Sequence, residues 1–255
     1  MINMKVMGGL GNQLFQWACA KSLKKRYNHE LRYDFSSYKN DGFGRSLELN
    51  DIDNLQFCAS ESTQEKPRLQ VIQDAFNYSL FSKIDFSWQD VEYNLQGYWQ
   101  SEKYFSNVSE EVRKELSPSV KIETLDNSVS LHVRRTDYLN LQHVHPIQTV
   151  EYYQNAIDEV GLVDKIYVFS DDISWCETNL KFNNVEFVRN NTAIFDMWKM
   201  STCTHNIIAN SSFSWWGAWL NNNPEKKVIA PLNWFANGCN YSDKDIIPEK
   251  WKRIA

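Results

Sequence analysis

Ser128-Val129-Ser130-Leu131-His132-Val133-Arg134-Arg135-Thr136-Asp137-Tyr138 is the stretch on which the reading of this chain turns. Its first six residues alternate in polarity with the two-residue period of a β-strand. On a strand, Ser130, His132 and Arg134 share one side, and Val129, Leu131 and Val133 share the other. Two adjacent arginines at the end of a buried strand call for an anion, because a guanidinium without a partner is costly to bury. If Asp137 is the anion, the stretch is a structural ion pair. If a ligand phosphate is, the stretch is an active site. These residues alone leave both readings open.

Downstream the same strand-then-helix rhythm continues. Thr149 opens an amphipathic stretch to Val160, and Gly161 closes it. An apolar strand at 165–169 runs into Ser170-Asp171-Asp172, and a short helix at 173–180 leads to a strand at 185–188. A helix at 193–203 precedes a strand at 205–209, which runs into Asn210-Ser211-Ser212-Phe213-Ser214. A helix at 215–222 and a strand at 227–230 follow. Such alternation predicts a parallel sheet with helices on both faces. Ligands bind such sheets at the carboxyl ends of the strands. Arg134-Arg135, Asp171-Asp172 and Asn210-Ser211-Ser212 all fall at such ends, a constellation suited to a nucleotide phosphate. The helix start near Ser212 offers unpaired N–H groups and a positive dipole end to an anion. Ordinary helix capping by serine is the alternative explanation of Ser211 and Ser212, and the convergence of three polar clusters favours a ligand site.

Upstream, a short strand at 4–7 leads through Gly8-Gly9-Leu10-Gly11-Asn12 into a helical pattern at 13–26, with Asn12 as the expected N-cap. Gly9 and Gly11 permit close backbone approach to a ligand, although a tight turn needs them as well. Leu14 occupies the third glycine position, so the dinucleotide fingerprint is absent. A second strand fits 30–34, and 93–100 reads as extended. Ser101 is the expected cap of a helix ending near Leu116, before Ser117-Pro118. The expected division is a first domain at 1–125, a second at 126–240, and a tail at 241–255 free to pack back on the first.

Composition narrows the function. The chain has 255 residues, enough for one large or two modest domains, and its 42% hydrophobic and 23% charged residues fit a globular protein. A net charge of −5 supplies no general attraction for nucleic acid. The five cysteines are scattered without CxxC spacing, as expected for reduced thiols in a cytoplasmic protein. No apolar run approaches the about 18 residues of a membrane span. Ten tryptophans are the outlier, most expected in the core and a minority suited to stacking on sugar faces.

Three segments in order carry a resemblance: Gly8-Gly9-Leu10-Gly11-Asn12-Gln13-Leu14-Phe15-Gln16, His132-Val133-Arg134-Arg135-Thr136-Asp137-Tyr138 and Ala209-Asn210-Ser211-Ser212-Phe213-Ser214-Trp215-Trp216-Gly217-Ala218-Trp219. They resemble the α-1,2-fucosyltransferases of bacterial type, the galactoside 2-α-L-fucosyltransferases. Gly97-Tyr98-Trp99-Gln100-Ser101-Glu102-Lys103-Tyr104-Phe105 and Val168-Phe169-Ser170-Asp171-Asp172 match as well. The resemblance runs nearly end to end and is most specific over 128–230.

It implies a GT-B-like α/β architecture, two Rossmann-like domains with parallel sheets facing a cleft. It implies GDP-β-L-fucose as donor, the 2-hydroxyl of a terminal β-galactoside as acceptor, inversion at the anomeric carbon and no required metal or cofactor. His132 and Arg134 match donor-binding positions, with the arginine on the β-phosphate. Ser211, Ser212 and Phe213 match the phosphate-binding turn, and Asn12 matches an asparagine contributed by the first domain. Asp171 is expected near the guanosine. The setting implied is surface glycan or lipopolysaccharide biosynthesis in the cytoplasm. A lipid-linked acceptor would bring the protein to the inner face of the membrane.

Chemistry agrees with this assignment. An in-line displacement needs the acceptor hydroxyl held against the anomeric carbon and charge stabilised on departing GDP. The planar fork of arginine suits the second task. Strand alternation points Arg134 at the phosphate and Arg135 at structure, with Asp137 as its expected partner. Asp137 is also the first candidate for general base, ahead of His143 and His145. Asp171-Asp172 invites a metal reading, which a lone carboxylate pair supports poorly. Two rivals stay open: a fucosyltransferase of α-1,6 or O-fucosyl linkage, and a non-catalytic carbohydrate- or nucleotide-binding module.

Overall fold

The computed structural model describes every residue except 41, 43, 56, 59–66 and 74–76. The chain divides into two units, Met1–Ser119 with Lys244–Ile246, and Val120–Asp243 with Ile247–Ala255.

In the first unit the described elements are β1 (Ile2–Lys5), α1 (Leu10–Tyr27), β2 (Leu31–Asp34), β3 (Arg68–Ile72), α2 (Tyr78–Phe81), β4 (Glu92–Gln96) and α3 (Ser109–Glu115). The sheet order is β2-β1-β4-β3, with every pair parallel. Ile2 and Met4 of β1 are fully buried, as are Leu14, Phe15 and Ala18 of α1. The segment Lys244–Ile246 contributes Asp245, whose carboxylate accepts from Lys103 Nζ at 2.6 Å and from the Tyr78 N–H at 3.3 Å.

Two local expectations are corrected in this unit. Helix α1 begins at Leu10 with Gly9 at its N-cap, so Asn12 lies inside the first turn. The cap comes from far along the chain: the Glu48 carboxylate accepts the Leu10 N–H at 2.9 Å, an acid at the positive end of the helix. The single helix expected after Ser101 is broken. Ser101 Oγ accepts from the Lys103 N–H, but two 3-10 turns, Glu102–Tyr104 and Ser106–Val108, precede α3. Phe105 leaves helical geometry between them and packs, fully buried, 6.2 Å from the Phe15 ring. Core packing overrides local propensity here.

The second unit contains β5 (Leu125–Val133), α4 (Val150–Val160), β6 (Lys165–Ser170), α5 (Ile173–Asn179), β7 (Val185–Phe187), α6 (Ala193–Thr202), β8 (Cys203–Ile207), α7 (Ser212–Leu220), β9 (Val228–Pro231) and β10 (Lys252–Ile254). Its six-stranded sheet runs β10-β9-β8-β5-β6-β7 and is parallel throughout. Counted from β5 as the first strand, that is the doubly wound order 3-2-1-4-5-6 of the Rossmann fold. The order reverses between β5 and β8, and sheets of this order bind ligands outside the carboxyl ends of the strands at such a point.

Polarity along β5 divides as its alternation predicts. Val129, Leu131 and Val133 enter one core with Tyr152, Tyr153 and Ala156 of α4. On the other face Ser130 Oγ accepts from Asn206 Nδ2 at 2.7 Å, and Asn206 Oδ1 accepts from Asn221 Nδ2 at 2.8 Å. Buried amides are tolerated there because they bond one another. Most tryptophans are core: Trp215, Trp216 and Trp219 of α7 pack together, and Trp251 joins them 5.4 Å from Trp215. Trp88 is the exposed one, at 65%. Among the described residues no helix is long and apolar enough to cross a membrane.

Candidate active site

β5 ends at Val133, and the chain then bends into a 3-10 turn, Asp137–Asn140, held by the Leu139 N–H on the Arg135 carbonyl at 2.9 Å. Strand alternation therefore stops before the arginine pair. Arg134 takes Asp137: its Nε donates to Oδ1 at 3.0 Å and its Nη2 lies 2.9 Å from Oδ2. Its Nη1 lies 3.3 Å from Asp171 Oδ2. Burial pulls the guanidinium toward neutrality, but the Asp137 and Asp171 carboxylates outweigh it and hold the pKa above the usual value.

The partner expected for Arg135 is corrected in the same turn. Arg135 Nε bonds Asp172 Oδ2 at 3.3 Å, and its guanidinium sits 4.0 Å from the Trp175 ring centroid. Asp172 also caps α5, accepting the Trp175 N–H at 3.1 Å. Trp175 thus supports Arg135 through a cation–π contact. Nothing in the local sequence signalled that contact.

Asp171 organises the loop. Its Oδ1 accepts the Arg135 N–H at 2.9 Å, and its Oδ2 accepts the Thr136 N–H at 3.1 Å and hydroxyl at 2.5 Å. The carboxylate at the end of β6 thereby fixes the backbone that carries both arginines.

His132 is buried, and its ring stands 5.5 Å from Phe213. This contact joins the end of β5 to the start of α7. Burial, assisted by the adjacent Arg134 charge and opposed by Asp171, depresses the imidazole pKa to about 3. The ring is neutral at physiological pH, and its Nδ1 has no partner among the described residues. Tyr138 makes a second tie: its hydroxyl donates to the Asn210 carbonyl at 3.0 Å, and its ring stacks on His145 at 4.7 Å. Asn210 is clamped in turn, its Nδ2 donating to the Pro146 and Trp234 carbonyls at 3.0 Å each.

α7 starts from this clamp. Ser211 occupies its N-cap position but makes no side-chain capping bond, which removes the capping explanation offered by the sequence. The Trp215 N–H closes the first turn on the Ser211 carbonyl at 3.0 Å. The N–H groups of Ser212, Phe213 and Ser214 precede that first bond, so the helix presents its positive end there. In the second unit the structure thus brings together His132, Arg134, Asp137, Asp171, Ser211, Ser212 and Phe213.

Gly9, Gly11 and Asn12 belong to the first unit and its own order reversal, between β1 and β4. Gly8, which the sequence reading did not single out, carries the left-handed backbone at φ +82°, and a Cβ there would stand 2.6 Å from Asn12 Nδ2. Two loops meet here through glutamines. Gln16 accepts the Met7 N–H at 3.0 Å and donates to the Gly97 carbonyl at 2.9 Å. Gln73 Oε1 accepts the N–H groups of Tyr98 and Trp99 at 2.8 Å each. Trp99 is held at φ +53° although it is large and buried. Such a conformation costs about 1–3 kcal/mol and concentrates at functional sites. Beyond this turn, Gln100 Nε2 donates to Asn12 Oδ1 at 2.6 Å. Gln100 and Glu48 escaped the sequence reading because their partners lie 88 and 38 residues away.

The family model described as Glycosyl transferase family 11 matches residues 73–255. An alpha-1,2-colitosyltransferase of Escherichia coli is 34% identical over 98% of this chain and 97% of its own length. The O-antigen biosynthesis glycosyltransferase WbnK of the same species is 29% identical over 90% of this chain and 93% of its own. A galactoside 2-alpha-L-fucosyltransferase of Caenorhabditis elegans is 26% identical over 62% of this chain and 51% of its own. On the family match and the near-complete 34% identity, the chain belongs to glycosyl transferase family 11.

Proposed function

We propose that this glycosyltransferase moves L-fucose from GDP-β-L-fucose to the 2-hydroxyl of a terminal β-galactoside, with inversion, in surface glycan biosynthesis. The observation that carries the donor half is the β5/β8 switch point, where Arg134 follows the end of β5 and the uncapped start of α7 follows β8. A nucleoside diphosphate fits such a site through charge-assisted bonds and helix N–H groups. Arg134 takes the β-phosphate and offsets the charge that builds as the glycosidic bond breaks. The neutral imidazole of His132 serves as a hydrogen-bonding group on the donor rather than as a charge. Asp171 supports the loop from below, so its part in donor binding runs through Arg134 and Thr136.

Asp137 is assigned to positioning, because both its oxygens engage Arg134. A transition state with positive charge already on the anomeric carbon needs little base assistance. Neither step routes through a metal. The linkage assignment draws on two relatives whose names specify the 2-position.

A second reading is colitosyl transfer, favoured by the 34% identity to the alpha-1,2-colitosyltransferase. The test offers GDP-fucose and the corresponding colitosyl donor separately, with lactose and a β1,3-linked galactosyl amino sugar, in EDTA. A 2-O-fucosylated galactose identified by NMR is expected. Exclusive use of the colitosyl donor establishes the second reading, and transfer of neither sugar across a galactoside panel defeats both.

A further inference from the structure

We propose that Tyr138 is a positioning residue that fixes the spacing between Arg134 and the start of α7, matching the second unit to an anion of two linked phosphates. The inference deepens the donor reading and rests on it for Arg134 and the α7 N–H groups as phosphate ligands.

Tyr138 touches both features at once. Its ring centroid lies 5.7 Å from the Arg134 guanidinium carbon, within the range of a cation–π contact. Its hydroxyl donates to the Asn210 carbonyl at 3.0 Å, one residue before the N-cap of α7. Asp137, its neighbour in the same 3-10 turn, holds the guanidinium through Nε and Nη2, so the turn and the arginine move as one piece. The arginine and the helix end therefore stand one aromatic ring apart. The helix side of this spacer is fixed. Asn210 is 1% exposed, and its Nδ2 donates to the Pro146 and Trp234 carbonyls. Carbonyls only accept, so they settle which end of the amide is nitrogen. Oδ1 then accepts Gln148 Nε2 at 3.1 Å. The ring is held as well. The His145 imidazole stacks on it at 4.7 Å, 15° from parallel, and Phe235 lies 5.7 Å from His145. The His145 N–H reaches the Leu141 carbonyl at 2.8 Å, which folds the chain back over the ring. A monophosphate gains from the arginine or from the helix end. Two linked phosphates gain from both, and fully only at the spacing that the ring sets.

The test is calorimetric binding of GDP, GMP and inorganic pyrophosphate to the parent and to Tyr138→Phe, each also in an Arg134→Ala background. Phenylalanine keeps the ring and removes only the tie to Asn210. GDP and pyrophosphate are expected to bind it about 5- to 10-fold more weakly, with GMP changed by less than about twofold. A merely structural loss would weaken all three alike. With Arg134 replaced by alanine there is no spacing left to keep, so the same substitution should cost GDP less than about twofold. GDP affinity within about twofold of the parent would overturn the proposal, as would equal losses of GDP and GMP or equal losses in both backgrounds. His145→Leu keeps the tyrosine hydroxyl and removes the stacked ring, which covers the case of a phenylalanine variant that does not fold. It should weaken GDP and spare GMP in the same sense, and unchanged GDP affinity there contradicts the proposal. A parent that binds pyrophosphate but not GDP would defeat the guanosine donor reading, and the pyrophosphate losses then decide on Tyr138. A parent that binds neither overturns both.

Discussion

Arg134 and Asp137, one turn apart, meet fork to fork: guanidinium Nε and Nη2 lie 3.0 and 2.9 Å from the two carboxylate oxygens. The ion pair that the sequence left open is present. All three guanidinium nitrogens face carboxylates, Nε and Nη2 on Asp137 and Nη1 on Asp171, which fixes the plane that the proposed phosphate contact would use. A side chain pre-organised in this way loses less freedom when a phosphate arrives.

Arg134→Lys should retain the charge yet lose the fork. Turnover is expected to fall by about 100- to 1000-fold, the size seen when one transition-state donor is lost. The melting temperature should change little beside that loss. Steady-state kinetics with a thermal melt checks both, and near-native turnover in the lysine variant would remove Arg134 from the chemistry.

The two carboxylates after β6 should not be equivalent. Asp171 accepts three bonds from the Arg135–Thr136 backbone and hydroxyl, whereas Asp172 caps α5 and holds Arg135, which keeps its Trp175 support. Asp171→Asn should cost about 1–3 kcal/mol in urea denaturation, as expected for charge-assisted bonds. Asp172→Asn should cost less. Equal losses would mean that Asp171 does not organise the loop.

Stability should fall as pH drops below the ordinary histidine range, and His132 should contribute to the slope. Its folded pKa lies near 3 against an ordinary value of 6.5. Between those values the unfolded chain binds a proton that the folded chain does not, so stability rises with pH across the window. The contribution is complete above about pH 6.5 and approaches about 1.4 kcal/mol per pH unit below it. Urea titrations from pH 7 to 4.5 should show a shallower slope for His132→Gln. Parallel slopes would contradict a neutral, buried imidazole.

Much of the second unit was legible because its signals are local. Val129, Leu131 and Val133 pack as alternation requires, and Thr149 caps α4 through the Tyr152 N–H as its position suggests. Alternation failed at Arg134 for a physical reason: the strand had ended, and pairing was decided by Asp137 in the next turn and by Asp171 from β6. The first unit was harder to read because its determinants are remote. Glu48 moves the start of α1 ahead of Asn12, and Phe105 interrupts the expected helix to reach Phe15. β10, only three residues long, exists through pairing with β9 rather than through any pattern of its own.

The central claim is that the β5/β8 switch point reads the β-phosphate of a guanosine diphosphate donor through Arg134. Calorimetric titration of GDP and GMP into the parent and into Arg134→Ala isolates that contact as a thermodynamic cycle. The parent should bind GDP at least about tenfold more tightly than GMP, since a charge-assisted pair is worth about 1.5–3 kcal/mol, and the preference should collapse in the alanine variant. A preference for GDP that survives the loss of Arg134 would contradict the account.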